Sequence, residues 1–490
     1  MSLLDSIYTT WKKYFWVIIL LLLIADAFYS FNQFYYAKLD GDIARGLVPE
    51  DNFKQILTDP FGYNVIVNKK SYGGTNRFFT IWTANEYFKT IPFLLQKFVN
   101  PIDSIYLSCA IAKLFIQILL IFLISVYVKL SSTCNWKKYL LILFLITPLF
   151  QANGYNSYMG VIDKSVSYSF SYALPIACLL LYFLPFYFVS FNKGYLFKQP
   201  VVVNSLICMG AVVLAFSSPI IQGIILIVCT IIILSEWVNN FKSIKNQSLL
   251  KRVVSSFFMI SRFYLLHFLF IGQLCMYSFY IGLYNIENFT HVLPLADRYA
   301  KIPLGLFYLL TQKLGYPVLL LMICTNLILI KRIFYDNEGK VIIKLARLIA
   351  IFSFLYICLI PLGGFRIYRP NILRYDTIIP ITIALIFLYA LSSYFLLAHF
   401  YQKKKWTYAA ITLCFMLIYT NADKPDSSDY LCERVALQEI SISNKDTVEL
   451  NSSCTVLAWD KITDCKESEL NAQLLFYWRI TDKKKLYYQK

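Results

Sequence analysis

The connectors between the apolar runs of this chain constrain it more than the runs themselves. Apolar stretches at residues 15–24, 114–128 and 378–397, among others, are separated by short polar segments that alternate between rich and poor in Lys and Arg. Completed by its flanks, each stretch supplies the roughly 20 residues that a helix needs to cross a bilayer. In hydrocarbon the backbone must satisfy its own hydrogen bonds, and a helix does so within one segment. Only 15% of the 490 residues are charged and 58% are hydrophobic, whereas a soluble domain carries about 25% charge. The expected fold class is an all-α polytopic membrane protein.

Eleven spans are expected, beginning near residues 14, 104, 139, 167, 201, 220, 263, 304, 345, 377 and 406. With the N-terminus in the cytoplasm, the inner connectors hold twenty Lys and Arg, from Lys12 and Lys13 to Lys403, Lys404 and Lys405. The short outer connectors hold six: Lys164, Arg298, Lys301, Arg366, Arg369 and Arg374. The inverted orientation would put most of that charge across the membrane, against the positive-inside tendency. The net charge of +18 therefore reads as topology. No zinc spacing, helix-turn-helix or RNA-binding signature accompanies it, so no nucleic-acid partner is expected. The first run is followed at once by Phe28-Tyr29-Ser30-Phe31, which fits an uncleaved span better than a signal-peptide cleavage site.

Two large pieces fall outside on this count. Residues 32–103 form a large outer loop between the first two spans. Within it, residues 86–99 mix aromatics and lysines, a pattern shared by a helix lying along the interface and by an ordinary packed helix. Residues 422–490 are expected to form a small extracytoplasmic domain, mostly β, because stretches such as 447–450 and 474–480 alternate. That tail contains Cys432, Cys454 and Cys465. In an oxidising compartment the simplest disulfide is Cys454–Cys465, with one thiol left over.

Two segments carry the strongest chemistry. Lys38-Leu39-Asp40-Gly41-Asp42 lies just beyond the outer end of span one, with two carboxylates flanking a glycine that permits a tight turn. At a membrane boundary Asp40 and Asp42 suit a general base or a divalent-cation site; a solvated turn after a helix is the plainer reading. The second segment is 363–376. Arg366, Arg369 and Arg374, with Tyr368 and Tyr375 interleaved, stand there on a face that otherwise avoids positive charge. A guanidinium is a planar fork matched to phosphate oxygens. Headgroup anchoring and pairing with Asp376 are the competing readings. Weaker candidates for lining a sugar site are Glu86, Asp163, Lys164, His291, Asp297 and Arg298. Asp26, near the outer end of span one, is a further supporting acid. His267 reads as a core histidine. His and Cys show no metal-ligand spacing, and no phosphate-binding glycine loop is present, which disfavours an ATP-driven pump.

This layout resembles the GT-C superfamily of membrane glycosyltransferases. Leu39-Asp40-Gly41-Asp42 falls where those enzymes carry a loop-one acid. Asn100-Pro101-Ile102-Asp103 resembles their start of span two, and Arg374-Tyr375 followed by Pro380 resembles an Arg-Tyr…Pro element before a late span. The resemblance implies inverting transfer of a sugar from a polyprenyl-phosphate-linked donor to a glycan, lipid or protein acceptor. The reaction would occur at the outer face of a plasma (inner) membrane, among membrane lipids. Asp40 or Asp42 would be the base, and Arg366, Arg369, Arg374 and Tyr375 would hold the lipid phosphate. Three other functions compete. One is a glycan polymerase or ligase using a lipid-linked donor. Another is a transporter or flippase of lipid-linked glycans, which would need functional charges or broken helices near the midplane. The third is a structural membrane protein whose outer loops only bind partners.

Overall fold

The structure, a computed structural model, describes residues 3–47, 51–132, 136–151, 153–192, 200–244, 248–289, 293–363, 365, 369, 371–425 and 427–490. It is 76% helix and 2% strand. Among the described residues, eight helices are long and apolar enough to cross a membrane: Tyr14–Tyr35, Pro101–Leu130, Val166–Phe191, Ile221–Ser243, Arg262–Gly282, Gly315–Ile333, Asn337–Gly363 and Tyr375–His399. Shorter apolar helices, Lys138–Leu149 and Val201–Ala215, fall at two further expected spans.

The remaining two expectations change. The run expected from residue 304 is two helices, Leu295–Thr311 and Gly315–Ile333. The chain leaves the helix at the polar pair Gln312-Lys313, and Gly315 packs so closely on Met159 and Tyr155 that a Cβ there would collide with both. The last expected span is a 21-residue helix, Gln402–Ala422, but three consecutive lysines in its first turn lower its apolar character. It joins the bundle through a polar clamp. The Tyr408 hydroxyl donates to Asn326 Oδ1 at 2.8 Å, and the Asn326 amide donates to Ser392 and Ser393 at 3.0 and 2.9 Å. Where lipid is as apolar as leucine, such bonds and close packing hold helices together, because excluding water contributes little.

Several helix ends meet at one end of the bundle, called the head below. The Asn100 side chain caps Pro101–Leu130, accepting from the Asp103 N–H at 2.9 Å, with Pro101 at the first helical position. Asp103 also accepts from the Tyr35 hydroxyl, at the end of the first helix, at 3.0 Å and pairs with Arg434 of the tail. Ser165 caps the helix that begins at Val166, and a π-helical turn follows at Ser169–Ala173. Irregularities of that kind concentrate at functional sites. The helix Phe78–Leu95, which contains most of the segment read as interfacial, packs on Pro101–Leu130 and on the short helix Asp42–Leu47.

The tail corrects two expectations. It holds more helix than strand: Ser428–Ile442 and Glu469–Tyr477 accompany a two-stranded parallel sheet of β1 (Thr447–Leu450) and β2 (Leu486–Gln489). The 447–450 alternation is a strand. The 474–480 stretch instead continues from Glu469-Leu-Asn-Ala-Gln, residues that favour a helix, and Asn471, Ala472, Leu474 and Leu475 form its buried face. The disulfide joins Cys432 to Cys454, and Cys465 is free. Nearness in sequence pointed to the wrong pair because the fold lays the Ser428–Ile442 helix beside residues 454–457. The tail is no loose appendage. Leu39, Ile43, Tyr106 and Phe170 of the head share one buried cluster with Leu437, Leu457 and Trp478 of the tail.

Candidate functional site

The turn after the first helix is fixed from the tail side. Glu433, fully buried, accepts from the Leu39 N–H (2.8 Å) and the Tyr106 hydroxyl (2.9 Å) with one oxygen. The other oxygen accepts from the Leu457 N–H at 2.9 Å. Burial is the main influence on its carboxyl and raises it to about 7, while those three donors pull it back down. One carboxylate thus ties the acid turn, the Pro101–Leu130 helix and the tail together. Gly41 is needed here for proximity. A Cβ on it would lie 2.8 Å from both the Trp459 ring and the Trp459 backbone nitrogen. Its φ is not in the left-handed region, so close approach of the tail, more than turn geometry, is what requires glycine.

The two acids of the turn differ. Asp40 is buried, and its oxygens accept from Ser167 Oγ (2.7 Å), the Ser167 N–H (3.2 Å) and the Asp42 N–H (3.1 Å). Asp42 opens the Asp42–Leu47 helix and is only partly buried. Burial, then the neighbouring Asp40 charge, raises its carboxyl above the ordinary range; the Trp459 side chain and Arg45 act in the opposite direction. Asp40 is saturated by the fold, whereas Asp42 retains basicity and access.

Asp163 and Tyr375 bring in the other segment. Asp163 Oδ1 accepts from the Ser165 N–H at 2.7 Å, and its carboxyl hydrogen-bonds the Tyr375 side chain. Burial raises Asp163 to about 6, and Asp40 adds to the rise; Ser165, Tyr375 and Lys113 oppose it. Tyr375 begins the Tyr375–His399 helix, directly after Arg374. Next to it Arg369 and Arg374 converge on Asp376: Arg369 Nη1 lies 3.7 Å from Asp376 Oδ2, and Arg374 Nη2 pairs with the same oxygen. The Asp376 side chain is 1% exposed and those of Arg369 and Arg374 are 20% and 16% exposed. Two guanidiniums thus converge on one buried carboxylate, where water screens their charge weakly.

Tyr168 closes the group. It interacts electrostatically with Asp42 and with both Arg369 and Arg374, and the Trp459 ring lies 5.7 Å from its own. The acid turn and the arginine stretch therefore stand on the same end of the bundle, both within electrostatic reach of Tyr168. Beneath lies Lys113, 1% exposed in the Pro101–Leu130 helix, donating to the Lys164 carbonyl at 2.9 Å within electrostatic reach of Asp163 and Asp40. Beside the group a cavity of about 450 Å³ is lined by Asn153, Asn156, Ser157, Asp163, Lys164 and Tyr375, with Lys424 at its edge. That size suits a small polar ligand.

Other sequence candidates are placed elsewhere or fall outside the described residues. Glu86 is exposed and lies 4.0 Å from Lys89 on the same helix. Asp297 is exposed. Arg298 donates to the Leu293 and Pro361 carbonyls at 2.8 and 3.1 Å, bracing the start of the arginine stretch instead of lining a sugar site. Arg366, Tyr368 and His291 lie outside the described residues. His267 Nδ1 lies 2.9 Å from the Phe263 carbonyl, as a core histidine would. Among the described residues no three His, Cys, Asp or Glu gather as metal ligands. Sequence reasoning missed Ser167, Tyr168, Trp459, Glu433 and Lys113. Only Lys113 carried a usable signal, as a lone cation within an apolar run. The chain matches no protein-family model, and comparison with curated proteins and with solved structures likewise finds no match.

Proposed function

We propose that this chain is a membrane-embedded inverting glycosyltransferase of the GT-C type, moving a sugar from a polyprenyl-phosphate-linked donor to an acceptor hydroxyl. The observation that carries this reading is that a partly exposed carboxylate of raised basicity, Asp42, and two arginines converging on Asp376 all lie within electrostatic reach of Tyr168. Asp42 accepts the proton of the acceptor hydroxyl. The oxygen attacks the anomeric carbon as the bond to the donor phosphate breaks, through an oxocarbenium-like transition state. The electron pair of the broken bond goes to the phosphate, where Arg369 and Arg374 stabilise the growing charge. Asp40 positions the turn, and Asp376 holds the two guanidiniums together. Glycan chains as well as single sugars fit this chemistry.

Two observations favour the extracytoplasmic side for the head. The tail that shares its core carries the Cys432–Cys454 disulfide, a bond that persists in oxidising compartments. The opposite ends of the Gly315–Ile333 and Gln402–Ala422 helices carry Lys331, Arg332, Lys403, Lys404 and Lys405, as cytoplasmic ends do. The test is release of free polyprenyl phosphate from a panel of polyprenyl-phosphate sugars by the purified protein in nanodiscs. Wild type should release it with an acceptor present, and Arg374→Ala should lose about 100-fold or more at unchanged expression. Equal release by Arg374→Ala would remove the arginine clamp from the mechanism.

A further inference from the structure

A second cleft lies in the tail, and the chemistry above does not use it. It measures about 750 Å³ and is lined chiefly by Phe476, Tyr477, Arg479, Thr481, Asn444 and Asp482. The helix Glu469–Tyr477 ends there in a Schellman motif: the Arg479 N–H donates to the Phe476 carbonyl at 3.0 Å and the Ile480 N–H to the Leu475 carbonyl at 2.9 Å. The left-handed position of that motif normally belongs to glycine. Here it is Arg479, at φ 60°. A bulky residue held in that conformation is strained, and strain retained at a cleft points to function.

Three further features define the ligand. Phe476 and Tyr477 are 49% and 40% exposed, which offers aromatic surface at the cleft. Tyr477 is also held edge-on against Phe93, 5.4 Å away, and the Arg479 guanidinium lies over the same Phe93 ring at 5.3 Å. Asn444 adds an amide at the cleft wall. Lys485, by contrast, is already engaged by the Ser441 carbonyl at 2.9 Å and by Asp482 at 2.7 Å. The cleft therefore offers aromatic surface, amide, hydroxyl and one guanidinium, a set suited to a polyhydroxylated neutral ligand more than to a strongly anionic one.

We propose that this cleft is a carbohydrate-binding site, where sugar rings lie on Phe476 and Tyr477 and their hydroxyls meet Arg479 and Asn444. It would hold a glycan segment away from the reacting centre. The helix that ends at the cleft also packs against the Asp42–Leu47 helix, so a chain bound there is tethered to the same body as the acid turn. The proposal stands whether or not the transfer reading does, because its readout is binding.

The full chain in nanodiscs is titrated with maltohexaose, chitohexaose and dextran by microscale thermophoresis. At least one probe should bind saturably, and Tyr477→Ala and Arg479→Gly should each weaken it about tenfold or more. Arg479→Gly separates binding from folding. It removes the guanidinium yet suits the left-handed backbone, so its thermal midpoint should hold or rise while binding falls. The proposal is overturned if no probe binds wild type at millimolar concentration, or if Arg479→Gly binds like wild type. Binding that appears only with phosphatidylglycerol in the nanodisc, and not with sugars, would overturn it in favour of lipid headgroups.

Discussion

The carboxylates and the guanidiniums at the head of the bundle are held in opposite ways. Asp40 receives three hydrogen bonds from neutral donors, while Arg369 and Arg374 lean on one carboxylate between them. The acid side is hydrogen-bonded by neutral donors, and the arginine side gathers two guanidiniums on Asp376. In the proposed reaction this difference divides the roles: Asp40 would shape the turn, Asp42 would take the proton, and the arginine pair would meet the phosphate.

The largest effect that tests this contrast is expected at Asp42. Asp42→Asn should reduce sugar transfer by about 10²–10⁴-fold with the fold intact by thermal unfolding. Asp40→Asn should reduce it less and should instead lower the unfolding midpoint, since it weakens the bonds to Ser167. If the two variants lose activity equally and neither loses stability, the division of labour between the acids is wrong.

The pH profile sharpens the same contrast. Burial and the Asp40 charge both raise the Asp42 carboxyl, so transfer should fall on acidification at a pH above the ordinary carboxylate range. Asp40→Asn removes one of those causes, and the acidic limb of its rate profile should move to lower pH. A limb that stays in place would mean that the titrating group is not next to Asp40.

A smaller effect concerns the tail. Glu433 is raised from 4.5 to about 7, so its protonated form is favoured in the folded state. Its contribution to tail docking is complete below its unfolded value of 4.5 and is lost as pH rises through about 7. Protection factors of residues 428–442, that is, exchange rates corrected for the intrinsic rate at each pH, should therefore be higher at pH 5 than at pH 8, and Glu433→Gln should remove most of that difference. Equal pH dependence in the variant would assign the effect to another group.

The sequence made much of the membrane part legible. Apolar runs and their charged ends mark most of the long helices, because lipid imposes one requirement along the whole segment. The break at Gln312-Lys313 was less visible, since it depends on Gly315 approaching Met159, a contact from a distant part of the chain. The tail was misread because its alternating apolar residues suit a strand, while the Glu, Leu, Ala and Gln content that favours a helix was given too little weight. At the site, Asp42, Arg374 and Tyr375 stood out by charge and position. Tyr168, Ser167 and Trp459 did not, because nothing in a single sequence distinguishes a tyrosine between two loops from any other of the 38 tyrosines. Glu433 was invisible for a similar reason: its partners, the Leu39 and Leu457 N–H groups and the Tyr106 hydroxyl, lie far from it along the chain.

The proposed reaction needs one hollow at the head to serve both acid and arginine chemistry. Cryo-electron microscopy of the full chain in nanodiscs with a polyprenyl phosphate tests this most directly. The predicted result is phosphate density against the guanidiniums of Arg369 and Arg374, on the side of Tyr168 that faces Asp42. Phosphate bound elsewhere, or on these arginines but walled off from Asp42 with no room for a sugar between them, would contradict it.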